Sequence, residues 1–174
     1  MTDIWFTADT HFGHANIIKY CSRPFSSIED MDETLIERWN ARVKPDDTVW
    51  HLGDFAFHKT PDQLRALFDR LNGNKYLVTG NHDYDATKRL FWEIVTPMQE
   101  LLFGKQTVVL CHYGMRVWNK SHHGSIHLYG HSHGTLPGDN QSLDVGVDCW
   151  DYQPINYEEV LAKLKTLPKR PKEF

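Results

Sequence analysis

The chain holds only three cysteines in 174 residues, Cys21, Cys111 and Cys149. Their number is odd and none stands in a Cys-x-x-Cys spacing, which excludes a disulfide framework and a zinc ribbon. Such thiols suit a reducing, cytoplasmic setting. No apolar run approaches the roughly 20 residues of a membrane span. The start, Met1-Thr2-Asp3-Ile4-Trp5, lacks the basic region of a targeting signal, so a soluble intracellular protein is expected. A basic excess is missing too. With 19 Lys and Arg against 23 Asp and Glu, the formal net charge is −4, which argues against a general polyanion binder. Internal repeats, low-complexity tracts and interdomain linkers are also absent, so residues 1–174 are expected to form one domain able to bury its own core.

Histidine, by contrast, is abundant, with 11 residues. Many of them fall where a short apolar run ends: Asp9-Thr10-His11, Gly53-Asp54, Gly80-Asn81-His82-Asp83, Cys111-His112 and Gly130-His131-Ser132-His133. The runs are rich in β-branched and aromatic residues, so each cluster is expected where a buried strand gives way to a loop. Ligands of α/β folds collect at such carboxyl ends.

Ile4 to Ala8 reads as the first strand, Thr48 to Leu52 as the second and Lys75 to Thr79 as the third. Between them lie helices. Ser27 caps one, with Met31, Leu35, Trp39 and Val43 recurring every four residues as its apolar face. Thr60, Pro61 and Gln63 start the other, which runs to about Arg70. This βαβαβ rhythm predicts a largely parallel sheet. After a short helix near Ala86 to Trp92, strands crowd together at Glu100 to Phe103, Gln106 to Cys111, Ser125 to Tyr129 and Ser142 to Val147. Gly104-Lys105 reads as a hairpin turn, so the second sheet is expected to be more antiparallel. Asn156 caps a last helix from Tyr157 to about Leu167, and the basic tail from Pro168 to Lys172 is expected to fray.

In an extended segment residues i and i+2 point the same way, so Asp9 with His11, and His131 with His133, are each expected to present two groups to one place. Asp54, Asn81 and His112 bring the candidate metal ligands to seven, more than one ion needs when substrate and water also bind. Two divalent ions sharing a bridging Asp54 account for the number. Imidazole mixed with carboxylate and amide, without thiolate, favours Mn²⁺, Zn²⁺, Fe or Co²⁺ over Mg²⁺ or Ca²⁺. His82, between Asn81 and Asp83, is left to face a substrate and assist the leaving oxygen, with Asp83 orienting its ring.

In their order and spacing these clusters resemble the calcineurin-like metallophosphoesterase family, over residues 4 to about 148. The stretch Trp5-Phe6-Thr7-Ala8-Asp9-Thr10-His11-Phe12-Gly13-His14 is similar to small bacterial and phage members. The resemblance implies a four-layer α/β/β/α sandwich of two mixed sheets. It implies that Asp9, His11, Asp54 and His133 hold one ion and Asp54, Asn81, His112 and His131 the other, with Mn²⁺ favoured. It also implies that His82 is the catalytic histidine and Asp83 its partner. The expected activity is hydrolysis of phosphodiester or phosphomonoester bonds by hydroxide activated at the dinuclear centre, on a small phosphoester substrate. Nucleic acid is not indicated and no membrane is involved. Two alternatives stand beside it. Scaffolds of the same fold, such as a retromer subunit, tend to lose His82, which this chain keeps; a nuclease needs a basic approach surface that the charge does not promise.

Other residues carry weaker expectations. His14 either touches the substrate phosphate or caps the following helix, and Arg116, with Tyr113, Trp118 and Lys120, either lines a substrate pocket or packs the surface. His51 is expected in the core and Cys111 as a buried hydrophobe. His122, His123 and His127 are placed in a solvated loop, and Asp144 and Asp148 at the site's far rim in structural roles.

Overall fold

A computed structural model of the protein describes residues 2–57 and 59–171. The first sheet is built around β1 (Ile4–Thr7), β2 (Thr48–His51) and β3 (Asn74–Val78), all parallel. Short β4 (Val95–Thr96), not evident in the sequence, extends it beside β3, and β9 (Ile155–Asn156) closes the other edge antiparallel to β1, in the order β4-β3-β2-β1-β9. Helices α1 (Ala15–Tyr20), α2 (Ile28–Arg42) and α3 (Pro61–Asp69) pack on its outer face. Their starts follow the expected cap chemistry. Ser27 accepts from the Asp30 amide, and Thr60 with Gln63 closes a reciprocal capping box. Met31, Leu35 and Trp39 of α2 then meet Trp5, Val49 and Leu77 of the sheet in one buried cluster.

The second sheet orders β5 (Met98–Phe103), β6 (Gln106–Cys111), β7 (Ile126–Tyr129) and β8 (Ser142–Asp144) side by side. Only the β5–β6 hairpin, turning at Gly104-Lys105, is antiparallel; β6–β7 and β7–β8 are parallel. The expectation of a more antiparallel sheet is therefore corrected. The segments after β6 and β7 are long enough to carry the chain back to the starting edge, and strand spacing alone does not reveal that. The two mixed sheets face each other over Phe6, Ala8, Trp50 and Leu52 on one side and Val108, Leu110, Ile126 and Leu128 on the other, as the sandwich expectation requires. Helix α4 (Asp85–Lys88) is shorter than expected, and α5 (Tyr157–Leu164) ends early, seating Val160 and Leu164 in the intersheet core.

Outside the second sheet runs the segment from Tyr113 to Gly124. It covers His127, which is fully buried in β7, not in a solvated loop: its ring nitrogens meet the carbonyls of Val109 and Tyr113 and the Met115 amide. The expected fraying of the tail does not begin at Pro168. Arg170 stacks over Trp118 at 3.9 Å and pairs with Asp139, while Lys172 lies outside the described residues. Among the described residues no helix is long and apolar enough to cross a membrane.

Candidate metal centre

The carboxyl ends of β1, β2, β3, β6 and β7 converge, and the Ala8–Gly146 bridge ties the two sheets together beside them. Here the chain does not stay extended. Asp9, His11, Asp54, His131 and His133 all adopt left-handed φ, between 46° and 65°. The extended i, i+2 expectation for Asp9/His11 and His131/His133 is thus corrected: turns, not strands, aim these side chains. Such conformations cost non-glycine residues about 1–2 kcal/mol each and persist where the surroundings over-determine them. The Asp9 amide donates to Gly53 O and the His11 amide to Asp54 O, both at 3.0 Å, locking the first loop onto the second. Close approach is kept by Gly80, where an added Cβ would lie 2.3 Å from Asp54 Oδ1, and by Gly130, where it would lie 2.6 Å from Asp9 Oδ2.

Among the described residues three groups of donor atoms result, each within 4.8 Å: Asp9, His11 and His133; Asp54, His112 and His131; and Cys21, His133 and Asp148, in which Asp148 is already engaged by Arg23, so the first two form the centre. Asp54 lies between them. Its Oδ1 accepts from the His82 amide, and its Oδ2 stands 3.6 Å from His11 Nε2 and 3.6 Å from His112 Nε2. Those separations are too long for hydrogen bonds and suit donors sharing an ion through bonds of about 2.0–2.2 Å. Asp9 Oδ1 and His11 Nε2 are buried without a hydrogen-bond partner among the described residues. His112 Nδ1 meets the Leu52 carbonyl at 2.7 Å and donates to it; with the ring neutral, as a metal ligand must be, Nε2 presents a lone pair 3.1 Å from Asn81 Oδ1. Two electron-rich atoms at that distance, with two orphaned donors nearby, are what a cation would satisfy. Burial, then the Asp144 and Asp54 charges, pushes the Asp9 carboxyl well above the usual carboxylate range, a further sign of missing positive charge. Burial, then the positive Arg23, holds the His11 imidazole below the usual range, and burial does the same for His131, keeping both rings neutral and able to ligate.

A second set of contacts aims these groups. His133 Nδ1 meets Asp148 Oδ2 at 2.7 Å, and Asp148 is clamped in turn by buried Arg23, which also donates to the backbone carbonyls of Asp9 and Thr10. Burial alone would raise the Asp148 carboxyl; hydrogen bonds from His133 and Arg23 hold it below the usual range instead. Asp148 therefore does more than shape the rim, whereas Asp144 fits the structural expectation by binding the Ser132 hydroxyl and the Gly134 and Gly146 amides. Asp83 requires a correction. Its two oxygens accept from the amides of Asp54, Phe55 and Gly80 at 2.8–3.0 Å, so it staples two loops together and does not orient the His82 ring. His82 Nδ1 is buried and has no hydrogen-bond partner among the described residues.

A cavity of about 720 Å³ opens over the centre, lined by His11, Asp54, His82, His131 and His133 on one side and by Ile17, Tyr20, Cys21 and Phe57 on the other. His14 also lines it. It occupies the N-cap position of α1 without a capping side-chain bond, and its ring stacks on Phe57 at 4.4 Å. Arg116 does not line this cavity: it is exposed, and its carbonyl accepts from Arg170. Tyr113 sits closer, its hydroxyl 3.5 Å from Asn81 Oδ1. Cys111 is only half-buried, His122 and His123 are exposed, and His51 is in the core as expected, bonded to Thr10 Oγ1 at 3.0 Å. Arg23, Ile17, Tyr20 and Phe57 escaped the sequence reading, because none belongs to a ligand cluster or a repeated spacing.

Comparison with known proteins agrees with this geometry. The family model of the calcineurin-like phosphoesterase superfamily domain matches residues 3–144. An uncharacterized protein of Methanocaldococcus jannaschii is 32% identical over 173 residues, spanning 95% of this chain and 93% of that protein. The gene 66 protein of Mycobacterium phage D29 is 32% identical over 190 residues, spanning 90% of this chain and 94% of that protein. A protein of unknown function from Aquifex aeolicus shares the fold, with a TM-score of 0.74 at 23% identity over 94% of this chain and 100% of that one. The family is metal-dependent and the ligand groups for metal are present here; the chain belongs to the calcineurin-like phosphoesterase superfamily.

Proposed function

We propose that the protein hydrolyses phosphoester bonds of small substrates, diesters in preference to monoesters, at a centre of two divalent ions, Mn²⁺ first among them. The observation that carries this reading is Asp54 Oδ2, set 3.6 Å from a histidine nitrogen of each donor group of the centre, as one shared ligand between two sites requires. Asp9, His11, Asp54 and His133 would hold one ion, and Asp54, Asn81, His112 and His131 the other. Bound, such a pair lowers the pKa of a water and neutralises charge on the phosphoryl oxygens. His82 supplies the proton side of the reaction. Its amide is fixed to Asp54 and its ring lines the cavity; Nδ1 is buried, so Nε2 is the nitrogen offered to the leaving oxygen. Asp83 positions Asp54 and the His82 loop through backbone amides.

The test is elemental analysis of the purified protein followed by turnover of p-nitrophenyl phosphate and bis(p-nitrophenyl) phosphate with Mn²⁺, Zn²⁺, Co²⁺ and Fe²⁺ in turn. Close to two equivalents of metal and faster diester turnover are expected. Less than one equivalent, with no cleavage under any metal, sinks the proposal and favours a binding scaffold of the same fold.

A further inference from the structure

The cavity has two unlike halves. One is the imidazole and carboxylate centre; the other is an aromatic rail. Tyr20 meets His14 edge-on at 6.4 Å, His14 stacks on Phe57 at 4.4 Å, and Phe57 turns its ring against His82 at 5.1 Å; Tyr84, 6.1 Å from Phe57, lies beyond the cavity lining. Ile17, one turn before Tyr20 on α1, forms the apolar floor and is buried. Tyr20 is 75% exposed and Tyr84 60% exposed, although both are large aromatics that a core would normally absorb. No Lys or Arg is among the described residues that line the cavity.

From these contacts we infer that the rail is a subsite for the leaving group, and that the substrate is a phosphoester whose leaving group carries a flat, uncharged aromatic ring. The inference rests on the phosphoesterase reading above. The ring that touches the rail must belong to the leaving side, because Phe57 packs on His82, the residue that serves the leaving oxygen. A flat ring stacks on such aromatic faces regardless of its substituents, and each stacked ring strengthens binding on the order of ten-fold. A second phosphate or another anionic group would find no lysine or arginine among the described residues there. An aryl ring joined directly at the bridging oxygen reaches Phe57, and a nucleobase one sugar away reaches the Tyr20 end. Both present the same stacking chemistry.

Calorimetry on the full chain loaded with Mn²⁺ separates these cases with two probe pairs. One pair is phenylphosphonate against methylphosphonate, and the other is adenosine 5′-phosphate against ribose 5-phosphate. The ring-bearing member of at least one pair is expected to bind on the order of ten-fold tighter, and the pair that responds tells how far the ring lies from phosphorus. Tyr20→Ala, at an exposed position that does not endanger folding, and Phe57→Leu are expected to bring that ratio close to one. Ratios near one in both pairs, or a preference that survives both substitutions, overturn the subsite while phosphate binding still stands. If none of the four probes binds and bis(p-nitrophenyl) phosphate is not turned over either, the phosphoesterase reading falls with it.

Discussion

Arg23 and Asp148 meet as a buried bidentate pair, Nε to Oδ1 and Nη2 to Oδ2 each at 2.8 Å, with the arginine side chain wholly hidden from solvent. The same Asp148 Oδ2 takes the His133 ring, so one carboxylate sets both a buried cation and a candidate ligand. Asp148→Ala leaves the guanidinium buried and unpaired, and should destabilise the metal-free protein by about 3–5 kcal/mol in urea denaturation. Asp148→Asn keeps the shape and should fold better, yet it should weaken metal binding about 10–100-fold, since partners behind a ligating imidazole matter on that scale. Equilibrium dialysis against Mn²⁺ reads this directly, and two equivalents bound with unchanged affinity in Asp148→Asn would refute the orienting role.

Asp83 separates two accounts of one residue. As a staple for the amides of Asp54, Phe55 and Gly80, it should affect stability; as an orienter of His82, it should affect turnover alone. Asp83→Asn turns an amide NH₂ toward backbone N–H groups and should cost about 2–4 kcal/mol in denaturation, with metal loss following from the displaced Asp54 loop. Wild-type stability with a purely kinetic defect is the outcome that contradicts the staple.

The strand ends were legible because ligand-type residues interrupt β-branched runs in a fixed order, and the helices α2 and α3 because Ser27 and Thr60 cap them through local hydrogen bonds. The turns that aim the ligands were not. Left-handed φ at Asp9, His11 and Asp54 is imposed by cross-loop amide bonds such as His11 N to Asp54 O, which join residues far apart in sequence. Asp83 misled for the same reason: adjacency to His82 suggested a pair, whereas its partners stand 28 and 29 residues away and across the turn at Gly80. Arg23 gave no signal, since a single arginine after a short helix has no period, and its meaning lies in Asp148, 125 residues on.

Gly80 tests how tightly the site is packed. An added methyl group would overlap Asp54 Oδ1 and its amide nitrogen at 2.3 and 2.6 Å, so it must push Asp54 out of place. Gly80→Ala should destabilise the fold by about 1–3 kcal/mol and abolish binding of at least one metal equivalent. Retention of both equivalents in elemental analysis would show that Asp54 tolerates displacement and is no shared ligand.

Acid should weaken the fold through histidines buried as neutral rings. Burial holds His51 down to about 3 and moves His127 in the same direction, from an unfolded value near 6.5. The folded pKa lies below the unfolded one, so the unfolded chain binds the extra proton. Stability is full above about pH 6.5 and falls as pH drops from there toward 3, by about 1.4 kcal/mol per pH unit for each ring that stays neutral. Urea midpoints of the metal-free protein at pH 7.5, 6 and 5, with ring titration followed by NMR, should show this descent. A flat profile over that range would mean that these rings take up protons while folded.

His82→Ala separates leaving-group assistance from metal binding. Its ring lines the cavity without a hydrogen bond at Nδ1 among the described residues, and it belongs to none of the groups of donor atoms, so its loss should leave metal content and thermal stability unchanged. Turnover should fall about 10²–10⁴-fold, the usual contribution of a positioned proton donor. The size of that loss should depend on the substrate. A p-nitrophenolate departs without much help, whereas an alkoxide needs its proton as the bond breaks, so the penalty should grow with the pKa of the leaving alcohol. Plotting log kcat against that pKa for wild type and variant should give a steeper line for His82→Ala. Parallel lines would place the role of His82 elsewhere, in binding the phosphoryl oxygens that every substrate shares.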